Sequence, residues 1–146
     1  MKSLNSLQPL GLLILRLCLA LVFFSHGYPK VAHSPTGMQA FFVEHGLPGY
    51  FVYISGVTEV FGALLLVLGV FTRAAALLLA IEMGVAIWKV HSSGGYLAVH
   101  NYEFPLALLA GSFALATVGT GRLSLDHPLF ERGGRSRPGK YSKLAD

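Results

Sequence analysis

Three ionisable residues, Arg16, Glu59 and Glu82, stand inside long apolar stretches of the chain. A charge at the centre of a bilayer costs on the order of 2.5–3.5 kcal/mol on insertion scales, so residues of this kind face one another or a polar recess. At a helical rise of about 1.5 Å per residue, Arg16 lies about 9 Å from the near edge of its segment, and the glutamates each lie about 14 Å into theirs. The expectation is that all three converge as one intramembrane polar site. The arginine fork can donate to both carboxylates, or one glutamate keeps its proton. Two roles fit such a site: a polar knot that fixes helix packing, or a place where a substrate or proton is held.

A second set, His26, Lys30, His91, His100 and Glu103, falls at the opposite ends of the same segments. These are candidates for the mouth of one pocket, and equally for interfacial anchoring beside Trp88, Tyr96 and Tyr102. No metal site is expected, because His100 and Glu103 offer only two ligands and no dense His/Cys/Asp spacing accompanies them. Catalytic residues are not identifiable: there is no P-loop, G-x-S-x-G, H-E-x-x-H or dinucleotide fingerprint. Cys18 is the single cysteine. It excludes an internal disulfide or C-x-x-C pair, so redox chemistry requires a borrowed cofactor. Within its apolar segment Cys18 reads as a small packing residue.

The elements that position these residues are membrane helices. Of the 146 residues 53% are hydrophobic and only 12% are Asp, Glu, Lys or Arg, with a mean hydropathy of +0.60. A soluble domain of this size needs more polar surface. Segments Leu10–Gly27, Tyr50–Val70, Ala74–Val90 and Phe104–Thr120 each approach the length needed to cross about 30 Å of hydrocarbon. They carry no period-2 alternation, and lipid offers no partner for an unpaired amide, so helices are required. The fold class is therefore all-α, an integral membrane four-helix bundle. Residues 1–126 form a single four-span domain and residues 127–146 a basic tail.

Turn chemistry supports these limits: Tyr28-Pro29 is expected to end the first segment, Leu47-Pro48-Gly49 precedes the second, and Pro105 sits in the first turn of the fourth. Ser92-Ser93-Gly94-Gly95 breaks the chain after the third. In the long connection, Met38 to Val43 reads as a short interfacial helix. Gly69-Val70-Phe71-Thr72-Arg73 is a tight turn that makes the second and third segments an antiparallel pair. Gly56 and Gly62 flank Glu59, and Ala107, Gly111, Ala110 and Ala114 form small-residue pairs suited to close helix contact.

The formal charge is +4. Six of the eleven Lys and Arg residues (Arg122, Arg132, Arg135, Arg137, Lys140 and Lys143) follow the last apolar run. With no basic stripe interleaved with aromatics, nucleic acid is not an expected partner. Together with Lys2 and Arg73, these cations oppose only Lys30 and Lys89, which places both termini in the cytoplasm. The N-terminal stretch, interrupted by Arg16 and lacking an A-x-A-like exit, reads as a retained helix.

Arg16, His26-Gly27, Lys30, the run Gly56-Val57-Thr58-Glu59-Val60-Phe61-Gly62, Leu68-Gly69, Asn101-Tyr102-Glu103, and Gly119 to Asp126 resemble the DoxX family. The similarity covers roughly Leu10 to Asp126. The resemblance implies a four-helix membrane bundle from a family linked to thiosulfate:quinone oxidoreduction, detoxification of quinone-like or thiol-reactive compounds, and membrane redox complexes. It thereby implies a quinone as candidate cofactor and a membrane redox protein as candidate partner, with a homo-oligomer also open. Fold-level likeness alone does not assign an activity. Beside an accessory redox role, a non-enzymatic assembly protein and a small proton-coupled transporter remain open.

Overall fold

The computed structural model describes residues 2–32, 36–91, 95, 97–121 and 124–126. The basic tail expected over 127–146 lies outside the described residues, as do Arg122, Tyr96 and Ser92 to Gly94. Among the described residues there are five α-helices: α1 (Lys2–Ala32), α2 (Thr36–Glu44), α3 (Phe51–Leu68), α4 (Thr72–Ala86) and α5 (Glu103–Val118). A π-helical turn, Ile87–His91, prolongs α4, and a 3-10 turn, Val99–Asn101, leads into α5. No strand occurs among the described residues.

The first helix corrects the expected boundary. Tyr28-Pro29 does not end it, and α1 runs through both Pro9 and Pro29 to Ala32. A proline inside a helix forfeits one backbone hydrogen bond. Here the bond forfeited by Pro29 is the one to the Ser25 carbonyl, and the last turn is held by its packing on α3, where Lys30 and Val31 lie against Gly56 and Lys30 pairs with Glu59. As a result Lys30 is a helical residue with a defined direction, not a loop cation after the span.

Serine 6 to Ala32, Phe51–Leu68 and Thr72–His91 are long and apolar enough to cross a membrane. The 16 residues of α5 extend about 24 Å, short of the hydrocarbon thickness. The α2 helix replaces the expected interfacial piece with slightly wider limits and lies against α3.

The bundle is a ring. Helix α1 packs along α3, α3 against α4, α4 along α5, and α5 closes onto α1. Its centre is filled by Leu19, Ala20 and Phe23 of α1, Ala63 and Leu66 of α3, Ala76, Leu79 and Met83 of α4, and Leu108 and Leu115 of α5. The outside is equally apolar: Leu21, Phe61, Leu78, Ile81 and Phe113 all point outward. A water-soluble bundle reserves that face for charge, so this is an all-α membrane bundle whose outer face is solvated by acyl chains. Cys18 belongs to the outward face, which corrects its expected role as a packing residue.

The turn between α3 and α4 is held from a distance. Gly69 adopts a left-handed conformation (φ 67°) and its N–H bonds to the Leu65 carbonyl, closing α3 as glycine does at helix ends. Phe71 is also left-handed (φ 49°), a conformation that a bulky residue holds only when its surroundings compel it. The Asp126 carboxylate supplies that restraint, accepting bonds from the backbone N–H of Phe71 (2.8 Å) and Thr72 (3.0 Å). The Asp126 N–H in turn donates to the Gly69 carbonyl at 2.8 Å.

Candidate functional site

Helices α1 and α3 approach closely where two glycines face each other's charged neighbours. A methyl group on Gly27 would stand 2.6 Å from the Glu59 Cβ, and one on Gly56 would stand 2.7 Å from the Lys30 Cβ. Each glycine is three residues before a charge on its own helix, so the pairs Gly27/Lys30 and Gly56/Glu59 interlock. Small residues permit such backbone approach within a membrane. The consequence is chemical: Lys30 is laid directly across the face of α3.

Its ammonium donates to Glu59 Oε2 at 2.6 Å and to Ser55 Oγ at 2.8 Å. The Ser55 hydroxyl donates onward to Glu82 Oε1 of α4 at 2.5 Å. Three helices thus meet through one ammonium, one hydroxyl and two carboxylates. The Glu59 side chain is 4% exposed and that of Lys30 17%. Glu82 Oε2 is buried and has no hydrogen-bond partner among the described residues.

Glu59 also faces a pocket of about 390 Å³, lined by His26, His91, His100, Asn101 and Glu103 on its polar side. Phe23, Met83, Phe104 and Leu108 supply an apolar wall. Four elements build it. Helix α1 contributes His26, whose ring lies 5.8 Å from that of Phe104; the π-helical turn after α4 carries His91, the 3-10 turn His100, and the start of α5 Glu103. Pro105, the third residue of α5, is buried in this wall. Lys30 is not among the lining residues and stands behind Glu59. Among the described residues no group of three or more His, Cys, Asp or Glu is placed to hold a metal ion.

Arg16 departs from the expected convergence. It is buried (3% exposed), yet its guanidinium lies against Gly69 and Ser124 and its electrostatic partner is Asp126. Fourteen residues separate Arg16 from Lys30 on one helix, about 21 Å. That spacing puts Arg16 at the opposite end of the bundle from Glu59 and Glu82. There it meets the carboxylate that restrains the α3–α4 turn, beside a second cavity of about 400 Å³ bordered by Thr72, Arg73, Thr120 and Asp126. Arg73 also reaches the Val118 carbonyl at 3.3 Å.

Sequence reasoning missed Ser55 and the role of Lys30. Serine in a membrane helix carries no signal by itself; its position four residues before Glu59, on the same helical face, is the clue. Lys30 was hidden by the proline taken as a helix end.

A multi-helix membrane protein with a polar cluster set between its spans and a pocket opening beside it is the class that these features define. The chain belongs to the DoxX family, whose family model matches residues 11–92. It is 34% identical over 140 residues to a protein of Haemophilus influenzae, covering 90% of this chain and all of the other. It is 32% identical over 127 residues to the Bacillus subtilis protein named "Putative oxidoreductase CatD", covering 87% of this chain and 92% of that one. With the inner membrane protein YqjF of Escherichia coli the identity is 27% over 127 residues, covering 86% and 96% of the two chains. No solved structure matches the chain.

Proposed function

We propose that the pocket beside Glu59 binds a small lipophilic, redox-active molecule of the quinone class, and that the protein serves as an accessory component of membrane redox or detoxification chemistry. The observation that carries this reading is the composition of the pocket wall. Phe23, Met83, Phe104 and Leu108 suit an apolar ring, while His26, His91, His100 and Asn101 offer donors to ring carbonyl oxygens and Glu59 an acceptor for a ring hydroxyl. Pockets that combine an apolar wall with a few convergent polar groups are the usual form of a small-molecule site. The name of the Bacillus subtilis relative, an oxidoreductase, is in keeping with it.

The same reading sets the protein in the inner membrane with both termini cytoplasmic. The pocket then opens toward the outer face, because the cation-rich end is the one that holds Arg16, Arg73 and Asp126.

The test is retention of a defined quinone. Protein in lipid nanodiscs is incubated with ubiquinone-1, washed, and assayed by mass spectrometry, with native lipids and small molecules recorded in parallel. Stoichiometric retention that is lost in folded Glu59→Gln supports the site. Undiminished retention in folded Glu59→Gln and Glu82→Gln overturns it and leaves the cluster as scaffold. Absence of any retained molecule together with a stoichiometric protein partner points to the assembly role instead.

A further inference from the structure

The hydrogen bonds behind the pocket have a direction. An ammonium can only donate, so Lys30 must give hydrogens to both Glu59 and Ser55. With its oxygen occupied as acceptor from Lys30, the Ser55 hydroxyl turns its own hydrogen toward Glu82 Oε1. The chain Glu59, Lys30, Ser55, Glu82 is therefore aligned from the pocket to a carboxylate that does not border it. Glu82 receives this single hydroxyl on one oxygen and nothing on the other among the described residues. Its neighbours with charge are Glu59 on α3 and Lys30 on α1. On α5 only Glu103 is charged, and it stands at the pocket wall. One ammonium thus faces two carboxylates, and a buried group of that kind holds one negative charge more than its cation balances.

We propose that this chain is a proton relay, in which a proton released into the pocket is taken up at Glu59 and delivered through Lys30 and Ser55 to Glu82. The balance is simple. Glu59 gains a proton from the pocket, and Lys30 regains from it the proton that it passes to Ser55. Ser55 passes its own hydroxyl proton to Glu82 Oε1. Lys30 and Ser55 end as they began, and no oxidant or reductant is consumed. The Glu82 carboxylate becomes a neutral acid, which removes the uncompensated charge from the bundle. The chemical class served is a ligand that loses a proton as it binds or reacts, such as a hydroxyl-bearing aromatic; that identification rests on the pocket reading above, whereas the relay itself does not.

The relay is read by infrared difference spectroscopy of the whole protein in nanodiscs, stepping the pH without added ligand. A protonated-carboxyl band is expected to appear on acidification, to be lost in Glu82→Gln, and to need a lower pH in Glu59→Gln, where Lys30 balances Glu82 alone. Its hydrogen–deuterium exchange is expected to slow by about tenfold in Ser55→Ala, one decade for each 1.4 kcal/mol of added barrier, and to recover in Ser55→Thr, which restores the hydroxyl. A band that survives Glu82→Gln, an absent band, or unchanged exchange in folded Ser55→Ala overturns the relay. Adding trimethylhydroquinone then separates the two readings. Failure to bind it with the band intact defeats the pocket assignment alone; binding with no change in the band defeats the coupling of relay to pocket.

Discussion

Gly27 lies so close to Glu59 that a single methyl group added to it would stand 2.6 Å from the Glu59 Cβ. The reciprocal contact of Gly56 with Lys30, at 2.7 Å, makes the helix seam and the ion pair one object. Gly27→Ala and Gly56→Ala gain up to about 1 kcal/mol of helix propensity. They pay more than that in overpacking, about 1–3 kcal/mol, because the atoms met are Cβ and backbone with no room to swing away. Both variants are expected to unfold earlier in detergent melts and to retain less bound quinone, and Gly37→Ala, with no atom near its added methyl, serves as the neutral control.

Removing one member of the Lys30–Glu59 pair leaves the other buried without its partner. Lys30→Met is expected to lower stability by about 3–5 kcal/mol, the range for breaking a buried pair from one side. Lys30→Met with Glu59→Gln should cost clearly less than the sum of the two single changes. Chemical denaturation of the four proteins of this cycle measures the coupling. Strict additivity would show that the two side chains do not interact in the membrane.

Arg16 and Asp126 are expected to behave as structural groups remote from the pocket. Asp126→Asn weakens the cap on the Phe71 and Thr72 amides, and loss of a helix cap typically costs about 0.5–2 kcal/mol. Arg16→Gln and Asp126→Asn should lower the melting temperature while leaving quinone retention per folded molecule unchanged. A selective loss of retention in either variant, measured on folded protein, would place the functional site at the other end of the bundle.

Topology follows from the distribution of cations. Reporter fusions after Tyr141 and within the connection between α1 and α3, at Gly46 beyond α2, are expected to report opposite compartments. The same compartment for both would exclude the four-span arrangement.

The helices were legible because long apolar runs in a membrane protein have one solution for their backbone hydrogen bonds. The level of the glutamates was legible for the same reason: Glu59 and Glu82 are ten residues from Gly69 and Thr72, about 15 Å each, on either side of one turn. The partner was not. Cost arguments demand that a buried charge be compensated but do not say by which residue, and Arg16 was the nearest cation by type. Depth decides otherwise. Since α1 and α3 run antiparallel with Arg16 level with Gly69, the residue ten positions along α1 from Arg16 is His26, so Gly27 meets Glu59 and Lys30 follows one turn on. That count was obscured by Tyr28-Pro29, whose local preference to end a helix is overridden by the tertiary contact between α1 and α3. His26, His91, His100 and Glu103 were visible as a set at one end, while the π-helical and 3-10 turns that give the histidines their places leave no periodic trace in the sequence.

The hold of Asp126 on the α3–α4 turn also has a consequence for the order in which the molecule is made. All of α1, α3, α4 and α5 have left the ribosome before residue 126 does, so the left-handed Phe71 and the first amides of α4 wait for their carboxylate until after α5 has been made. The α3–α4 hairpin is thus finished by a residue more than fifty positions further along the chain, and a chain cut short before Asp126 could insert its helices and still lack a latched turn.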